Sequence, residues 1–201
     1  MNEDLLSRFE QEGGPVHRLY EPSGVRAVLG AGGQPERDLL LENLAADGVG
    51  HEFRRGGGGT VVLSPGQVVI ALVAGVASPF RNREYAAEIN GWIMDALASI
   101  GVGGISLEGI SDLAIGGRKI LGTSIYRRRL TLFYQASLLV CCDVSLFSRY
   151  LAMPSRVPDY RRGRSHEEFC TTLEREGCRA ETAEVIASLE KVLSVRLPGL
   201  R

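Results

Sequence analysis

Four consecutive glycines preceded by two arginines are the first feature of the sequence that suggests chemistry. The glycines are residues 56–59; they follow Arg54 and Arg55 and precede the apolar run 60–63. Such a run is costly to order, because glycine loses more backbone freedom on folding than any other residue. Backbone N–H groups without Cβ atoms around them can converge on a carboxylate or phosphate, and the arginines add positive charge. A flexible hairpin tip is the alternative interpretation.

A lysine inside a predicted strand is the second feature. Lys119 precedes Ile120 in an apolar segment, and the small residues Gly122, Thr123 and Ser124 follow. The amine of such a lysine either reaches water at a solvated sheet edge or lies over a bound anion. The small residues leave room for a ligand, which favours the second interpretation. We expect the arginine cluster 127–129 to be a solvated hairpin turn without a catalytic role.

Composition restricts the classes of protein to consider. The 201 residues are 44% hydrophobic and carry a formal net charge of −1, which suits one compact domain and argues against a surface built for nucleic acid. The start of the chain lacks the apolar core of a signal peptide, and the longest apolar stretch, residues 68–77, is too short to span a bilayer. We expect a cytoplasmic protein with no nucleic-acid or membrane partner.

The cysteines and histidines show no spacing typical of a zinc site or a redox pair. We therefore expect no metal site made of side chains, and cysteines that act as small apolar residues in a reducing compartment. These residues are Cys141, Cys142, Cys170, Cys178, His17, His51 and His166.

Hydrophobic periodicity and capping signals predict the elements that position the two motifs. Predicted helices cover residues 2–12, 35–47, 82–100 and 182–195, with shorter ones starting at Asp143 and at the Ser165–Glu168 capping box. Predicted strands cover residues 16–20, 25–29, 60–63, 67–74, 105–107 and 112–115, with a hairpin over 118–140. Because helices and strands alternate irregularly, we expect an α+β fold: a mixed, largely antiparallel sheet flanked by helices.

The two motifs resemble those of lipoate-protein ligases. Residues 54–61 are similar to the R-R-x-S/T-G-G-G-x-V-x-H-D segment of that family, and residues 117–124 to its G-R-K-I-S-G-S-A strand. Further similarity lies in residues 16–22 and 30–34 and in the loop 154–169. The motifs occur in the family's order, in a superfamily that joins lipoate ligases, octanoyltransferases and biotin-protein ligases. The resemblance implies one catalytic domain over residues 1–201, similar to class II aminoacyl-tRNA synthetases and biotin ligases, without a C-terminal accessory domain.

The resemblance also implies a reaction. ATP, with Mg²⁺, and lipoate or octanoate would form an acyl-adenylate, and the acyl group would pass to a lysine of a lipoyl-carrier domain or a glycine cleavage H-like protein. A separate small subunit would replace the accessory domain. The implied catalytic residue is Lys119. The implied lipoyl-adenylate-binding residues are Arg54, Gly57, Gly58, Gly59, Thr60, Val61, Gln67, Gly122, Thr123, Ser124 and Gln135.

The sequence departs from the family pattern at side chains rather than in the backbone motif. Gly56 replaces the family's serine or threonine, Leu63 and Ser64 replace its histidine-aspartate pair, Leu121 replaces a serine, and Gln135 stands at a common histidine. These changes favour nucleotide contacts made by the backbone. They also motivate an alternative, a non-catalytic module that binds lipoyl or acyl groups.

A second alternative is acyl transfer from acyl-carrier protein. Octanoyltransferases of the superfamily use a cysteine nucleophile, but the matching positions are Ser155 in one subfamily and 104–105, glycine and isoleucine, in another. This favours the ligase.

We also expect the basic loop to face phosphates or an acidic carrier, with a solvated loop as the alternative. Its arginines are Arg156, Arg161, Arg162 and Arg164.

Overall fold

A computed structural model describes residues 2–200, which form two sheets and seven α-helices. The strands are β1 (Val16–Tyr20), β2 (Arg26–Leu29), β3 (His51–Phe53), β4 (Val61–Leu63), β5 (Gln67–Gly75), β6 (Ile105–Glu108), β7 (Asp112–Ile115), β8 (Arg118–Arg128) and β9 (Thr131–Leu139). The helices are α1 (Asp4–Glu12), α2 (Pro35–Asp38), α3 (Leu41–Ala46), α4 (Asn82–Ser99), α5 (Ser145–Tyr150), α6 (His166–Phe169) and α7 (Thr182–Arg196).

The larger sheet has six strands in the order β1-β5-β9-β8-β7-β6, and all neighbours are antiparallel. Helices α4 and α7 pack on one of its faces and make the main core with alternate residues of β5, β8 and β9. The largest side chains in this core, such as Tyr134, Ile89 and Leu72, are wholly buried. Period-2 alternation on the strands and period-3.6 spacing on the helices account for this layer.

The smaller sheet, β3-β2-β4, lies against the opposite face of the large one. Val28 and Leu63 of the small sheet pack on Val69 of β5. Helix α1 covers the neighbouring part of that face, with Leu5 buried against Val16 and other residues. The second face of the six-stranded sheet is therefore covered in part by a sheet and in part by a helix.

The predicted α+β fold, with a largely antiparallel sheet flanked by helices, is confirmed, and the capping box at Ser165 forms as expected. Asn82 is the first helical residue of α4 and accepts a hydrogen bond from Arg127. Glu3 holds the N-cap position of α1. Within residues 2–200, no helix is long and apolar enough to cross a bilayer.

The helix predicted over residues 35–47 is broken in the structure. It splits into α2 and α3 because Leu39 leaves helical geometry and forms an antiparallel bridge with Leu151. The amide of Leu40 then donates to the carbonyl of Tyr150. A tertiary pairing more than one hundred residues away overrides the local helical pattern.

Candidate functional site

The floor of the site is one face of β8 and β9. Gly122 and Ser124 alternate on β8, and they pair with Ser137 and Gln135 on β9. The side chains on this patch of the face are small or polar, unlike the apolar side chains on the opposite face of the same strands. The floor therefore has space and hydrogen-bonding capacity where the rest of the sheet has packed hydrocarbon.

The glycine loop, residues 56–59, lies directly on this floor. The hydroxyl of Ser124 donates to the carbonyl of Gly57 over 2.9 Å. A Cβ on Gly56 would collide with that hydroxyl, so a side chain there would require Ser124 to move. The family's serine or threonine at this position would therefore disturb the contact between Ser124 and Gly57.

Arg54 fixes the glycine loop through hydrogen bonds from its buried guanidinium. It is 5% exposed, and its guanidinium donates to the Ser124 hydroxyl (3.0 Å) and to the carbonyls of Val28 (3.1 Å), Gly57 (2.9 Å) and Gly59 (2.6 Å). Burial lowers the pKa of Arg54 to about 10. The sequence predicted a charge directed at the ligand, whereas four of the five N–H donors bind the protein itself.

The amides of the glycine loop take no part in these contacts. Gly57, Gly58 and Gly59 are exposed, and Gly58 has a φ of +91°. Among residues 2–200, no group accepts a hydrogen bond from their N–H groups. A loop whose carbonyls are fixed by Arg54 and whose amides are unused is arranged to donate to an anion.

Lys119 stands beside the floor. Its ammonium lies 2.8 Å from Asp112 Oδ1, and its side chain is 26% exposed. A Cβ on Gly122 would lie 2.8 Å from both Lys119 Cε and Nζ, so the glycine makes room for the amine. A β-bulge, at which Leu113 pairs with Leu121 but Ala114 pairs with Lys119, turns the lysine toward the face that carries Gly122.

The structure thus brings the two predicted motifs together. Lys119 covers Gly122 and the glycine loop covers Ser124, and these are alternate residues on one face of β8. At a strand rise of 3.3 Å per residue, Gly122 and Ser124 are about 6.6 Å apart. The amine and the glycine loop therefore border the same small area of the floor.

Asp112 and Tyr160 are site residues that sequence reasoning missed. Asp112 accepts from Lys119 through one oxygen and from the Tyr160 hydroxyl (2.8 Å) through the other. Burial and the Asp112 carboxylate raise the pKa of Tyr160, so its proton stays on the hydroxyl. Asp112 is the first residue of the strand that precedes β8 and lies seven residues before Lys119, but the bulge that joins them is not visible in the sequence.

The other predicted residues lie at different distances from this centre. Gln135 is buried in the floor opposite Ser124. Thr123 lies on the other face, where its hydroxyl bonds that of Ser111. Gln67 is wholly buried and donates to the Val62 carbonyl and the Ser64 hydroxyl.

Thr60 and Val61 continue from the glycine loop into the small sheet. The Thr60 hydroxyl lies 3.5 Å from Asp38 Oδ2, and Val61 begins β4. Both residues are half-buried at the edge of the loop. Thr60 and Val61 therefore connect the glycine loop to β4 and are not part of the floor.

The basic loop divides into buried and exposed arginines. Arg161 is 4% exposed and donates to the Arg164 carbonyl, and Arg164 donates to the carbonyls of Gly117 and Tyr160. The expectation that Arg161 faces a phosphate or a carrier is therefore wrong. Arg164 still lines, with Arg162, Tyr160 and Gly117, an open cavity of about 340 Å³.

A cysteine that the sequence did not place at the site also adjoins Lys119. Cys170 forms a parallel bridge with Lys119, but burial raises the pKa of its thiol. Burial likewise raises the pKa of Cys142 to about 12. Among residues 2–200, no three His, Cys, Asp or Glu side chains are grouped so that they could hold a metal ion.

Comparison with known proteins covers almost the whole chain. A sequence profile of the lipoyl protein ligase A/B catalytic domain matches residues 1–194. A bipartite lipoate protein ligase from Thermoplasma acidophilum, studied with its E2 lipoyl domain, is 19% identical over 90% of this chain and 70% of its own, with a TM-score of 0.77. Lipoate-protein ligase A bound with ATP is 19% identical over 94% of this chain and 76% of its own, with a TM-score of 0.77. A putative lipoate protein ligase from Thermoplasma acidophilum with bound lipoic acid is 18% identical over 90% of this chain and 71% of its own, with a TM-score of 0.75.

Proposed function

Because the chain belongs to the lipoyl protein ligase A/B catalytic domain family, we propose that it is an ATP-dependent lipoate-protein ligase. It activates lipoate or octanoate and transfers the acyl group to a lysine of a lipoyl-carrier domain or an H-like protein. The observation that carries this proposal is the shared floor: the Lys119 ammonium lies over Gly122, and the glycine loop, whose amides are unused, lies over Ser124 through the Gly57 carbonyl. Similar structures bound to ATP and to lipoic acid support the choice of substrates.

In the first step a carboxylate oxygen of the acid attacks the α-phosphorus of ATP, and pyrophosphate leaves. The side chains and amides described above would offset the negative charge that gathers on the phosphate and carbonyl oxygens. Lys119 has three N–H donors and gives one to Asp112, which leaves two for the substrates. The amides of residues 57–59 supply further fixed donors.

In the second step the neutral ε-amine of the carrier lysine attacks the acyl carbonyl carbon. The bond to the phosphate oxygen breaks, AMP leaves, and the amine loses a proton. The same ammonium of Lys119 would stabilise the carbonyl oxygen as it becomes negative and the departing phosphate. The hydrocarbon chain would gain about 0.8 kcal/mol for each methylene buried against apolar walls.

Magnesium has no protein site of its own in this proposal. No suitable group of side chains exists in the part of the chain that is described. The ion would arrive with the phosphates of ATP, which supply the oxygen ligands that Mg²⁺ prefers.

Acyl transfer through a cysteine is the competing reaction, since Cys170 adjoins Lys119. A thioester route needs a thiolate, and burial raises the pKa of this thiol. The ligase is therefore favoured.

A non-catalytic module that binds lipoyl or acyl groups is the other alternative. It is motivated by Leu63 and Gln135, which stand where the family has polar residues.

One incubation separates the three functions. The full chain is mixed with apo lipoyl domain and lipoate, with or without ATP–Mg²⁺, or with octanoyl acyl-carrier protein in place of the free acid. We expect the carrier to gain the mass of one lipoyl group only when ATP is present. Mass gain from acyl-carrier protein alone, without ATP, would establish the transferase, and lipoate binding without any product would establish the module.

A further inference from the structure

The loop before α4 and the β8–β9 turn form one exposed surface at the end of the β8–β9 hairpin. Arg127 Nε donates to Asn82 Oδ1 over 2.7 Å, and the Val76 amide donates to the Leu130 carbonyl over 2.8 Å. These bonds fix the two segments to each other. We call the result the tip surface; it consists of Phe80, Arg81, Arg83, Arg127, Arg128, Arg129 and Leu130.

The tip surface concentrates positive charge on a protein whose net charge is −1. Its five arginines form no ion pair with any carboxylate within residues 2–200. The first turn of the 18-residue helix α4, which has no side-chain cap, adds the positive end of a helix dipole. Glu84 in that turn offsets one charge.

The same surface exposes large apolar side chains. Phe80 is 90% exposed and Leu130 is 50% exposed. Arg129, which directly precedes Leu130, has a φ of +55°, a left-handed conformation that is unfavourable for residues other than glycine. An exposed aromatic ring among arginines is the composition of an interface that anchors a protein partner, with the ring buried and the charges paired on contact.

The position of the tip surface relates it to the site. The ring of Tyr126, two residues before Arg128, lies under the Arg55 guanidinium that precedes the glycine loop. Four residues of strand separate Ser124 from Arg128, a distance of about 13 Å. That distance matches the radius of gyration of a domain of roughly 100 residues, which is about 13 Å.

We propose that the tip surface docks an acidic face of the carrier domain whose lysine is acylated. The inference rests on the proposed function for the identity of the partner. The arginines would pair with carboxylates of the carrier and speed its encounter with the site, and Phe80 and Leu130 would anchor it. A globular carrier seated there spans the distance to the glycine loop.

Direct binding of a catalytically inert partner tests this inference. Apo lipoyl domain with its acceptor lysine replaced by Arg is titrated by calorimetry into the full chain, R128E/R129E and F80A, at 50 and 300 mM salt. R175E/R179E is the matched control, because it changes the charge equally at exposed arginines near Leu173, whose amide donates to the carbonyl of Leu139 at the other end of β9. We expect R128E/R129E and F80A each to raise Kd about tenfold at low salt, and the control to leave it unchanged.

Several outcomes would overturn the docking site. They are equal Kd values for R128E/R129E and the full chain, no binding by the full chain itself, or tighter binding of a DNA duplex or of phosphatidylserine vesicles that displaces the lipoyl domain. Thermal melting verifies that each variant folds. Pyrophosphate exchange with ATP and lipoate, measured without a carrier, reports the proposed activity separately, so a failure of docking and a failure of ligase chemistry are distinguished.

Discussion

Lys119 and Asp112 contact each other, but we expect their substitution to lower the rate of the activation step by different amounts. Lys119→Ala removes the charge that would stabilise the activation step, and we expect lipoate-dependent pyrophosphate exchange to fall about 10²- to 10³-fold. Asp112→Asn keeps the ammonium but removes its charged partner at 2.8 Å, so we expect a smaller fall, about tenfold. Both variants should fold, because both side chains are partly exposed and neither belongs to the apolar core.

Arg118→Ala is the matched control for these variants. Arg118 adjoins Lys119 in β8, but its guanidinium pairs with Glu176 rather than with Asp112, so we expect the exchange rate of this variant to stay within about twofold of that of the unmodified chain. If Lys119→Ala and Arg118→Ala had the same rate, Lys119 would have no role in activation.

Gly122 should matter through the space it leaves. In Gly122→Ala the new Cβ would lie 2.8 Å from Lys119 Cε and Nζ, which forces the flexible end of the lysine to move. We expect a loss of exchange activity of about tenfold with an unchanged melting temperature. Gly103→Ala, where a Cβ meets nothing within 4 Å, should keep full activity; equal activity in both variants would show that the amine tolerates displacement.

The sequence indicated residues of the site better than their contacts. Lys119 and the glycine loop were identifiable because few residue types allow a close backbone approach or place a charge inside an apolar strand. Asp112 was missed because its contact with Lys119 depends on a β-bulge. Arg54 was assigned to the ligand because a sequence does not show that carbonyl oxygens, rather than an anion, surround its guanidinium.

At the scale of elements, the glycine loop depends on Arg54. Arg54→Ala would leave the carbonyls of Val28, Gly57 and Gly59 without their buried donor. We expect the free energy of unfolding in urea to fall by about 2–3 kcal/mol, as for other buried groups that lose their partner. Arg55→Ala, an exposed neighbour paired with Glu3, should cost less than about 1 kcal/mol; equal losses would show that the loop does not need its anchor.

The contact between α3 and α5 should depend on pH. Hydrogen bonds from Arg149 (2.5 and 2.7 Å) and then from Tyr150 lower the pKa of Asp47 to about 2. Because the ordinary value is 3.8, the unfolded chain binds a proton first as the pH falls, so this stabilisation is complete above about pH 5 and is lost toward pH 2. We expect the melting temperatures of the unmodified chain and Asp47→Asn to differ at pH 6 and to converge at pH 2. A difference that stays constant with pH would contradict the lowered pKa of Asp47.

The same region shows the limit of local patterns. Residues 35–47 have helical periodicity and a proline suited to a helix start, yet the chain bends at Leu39 to pair with Leu151. Helix α4 and the strands other than β3, by contrast, were predicted within a few residues of their bounds, because their apolar residues recur with helical or strand period. Strand β3 (His51–Phe53) was missed, since three residues show no periodicity.

At the scale of the whole molecule, the sequence predicted the fold class but not the division into two sheets. The strands β1 and β2 follow one another across a turn, yet β1 pairs with β5 in the large sheet and β2 with β3 and β4 in the small one. Alternation along a strand shows which side chains are buried but not which strand lies beside it. This division matters for function, because the glycine loop joins the small sheet and rests on the large one.

That arrangement predicts an uneven distribution of local stability. The amides of Gly57–Gly59 have no acceptor within residues 2–200, whereas β5 lies between β1 and β9 and all of its residues except Gly75 are buried. By mass spectrometry we expect loop peptides to exchange their amide hydrogens within seconds and β5 peptides only on global unfolding. Lipoate and ATP together should slow exchange in the loop at least tenfold, since each bound amide loses access to water, and the same ligands should protect the loop less in Lys119→Ala. Unchanged loop exchange at saturating ligand would mean that these amides do not bind the substrate.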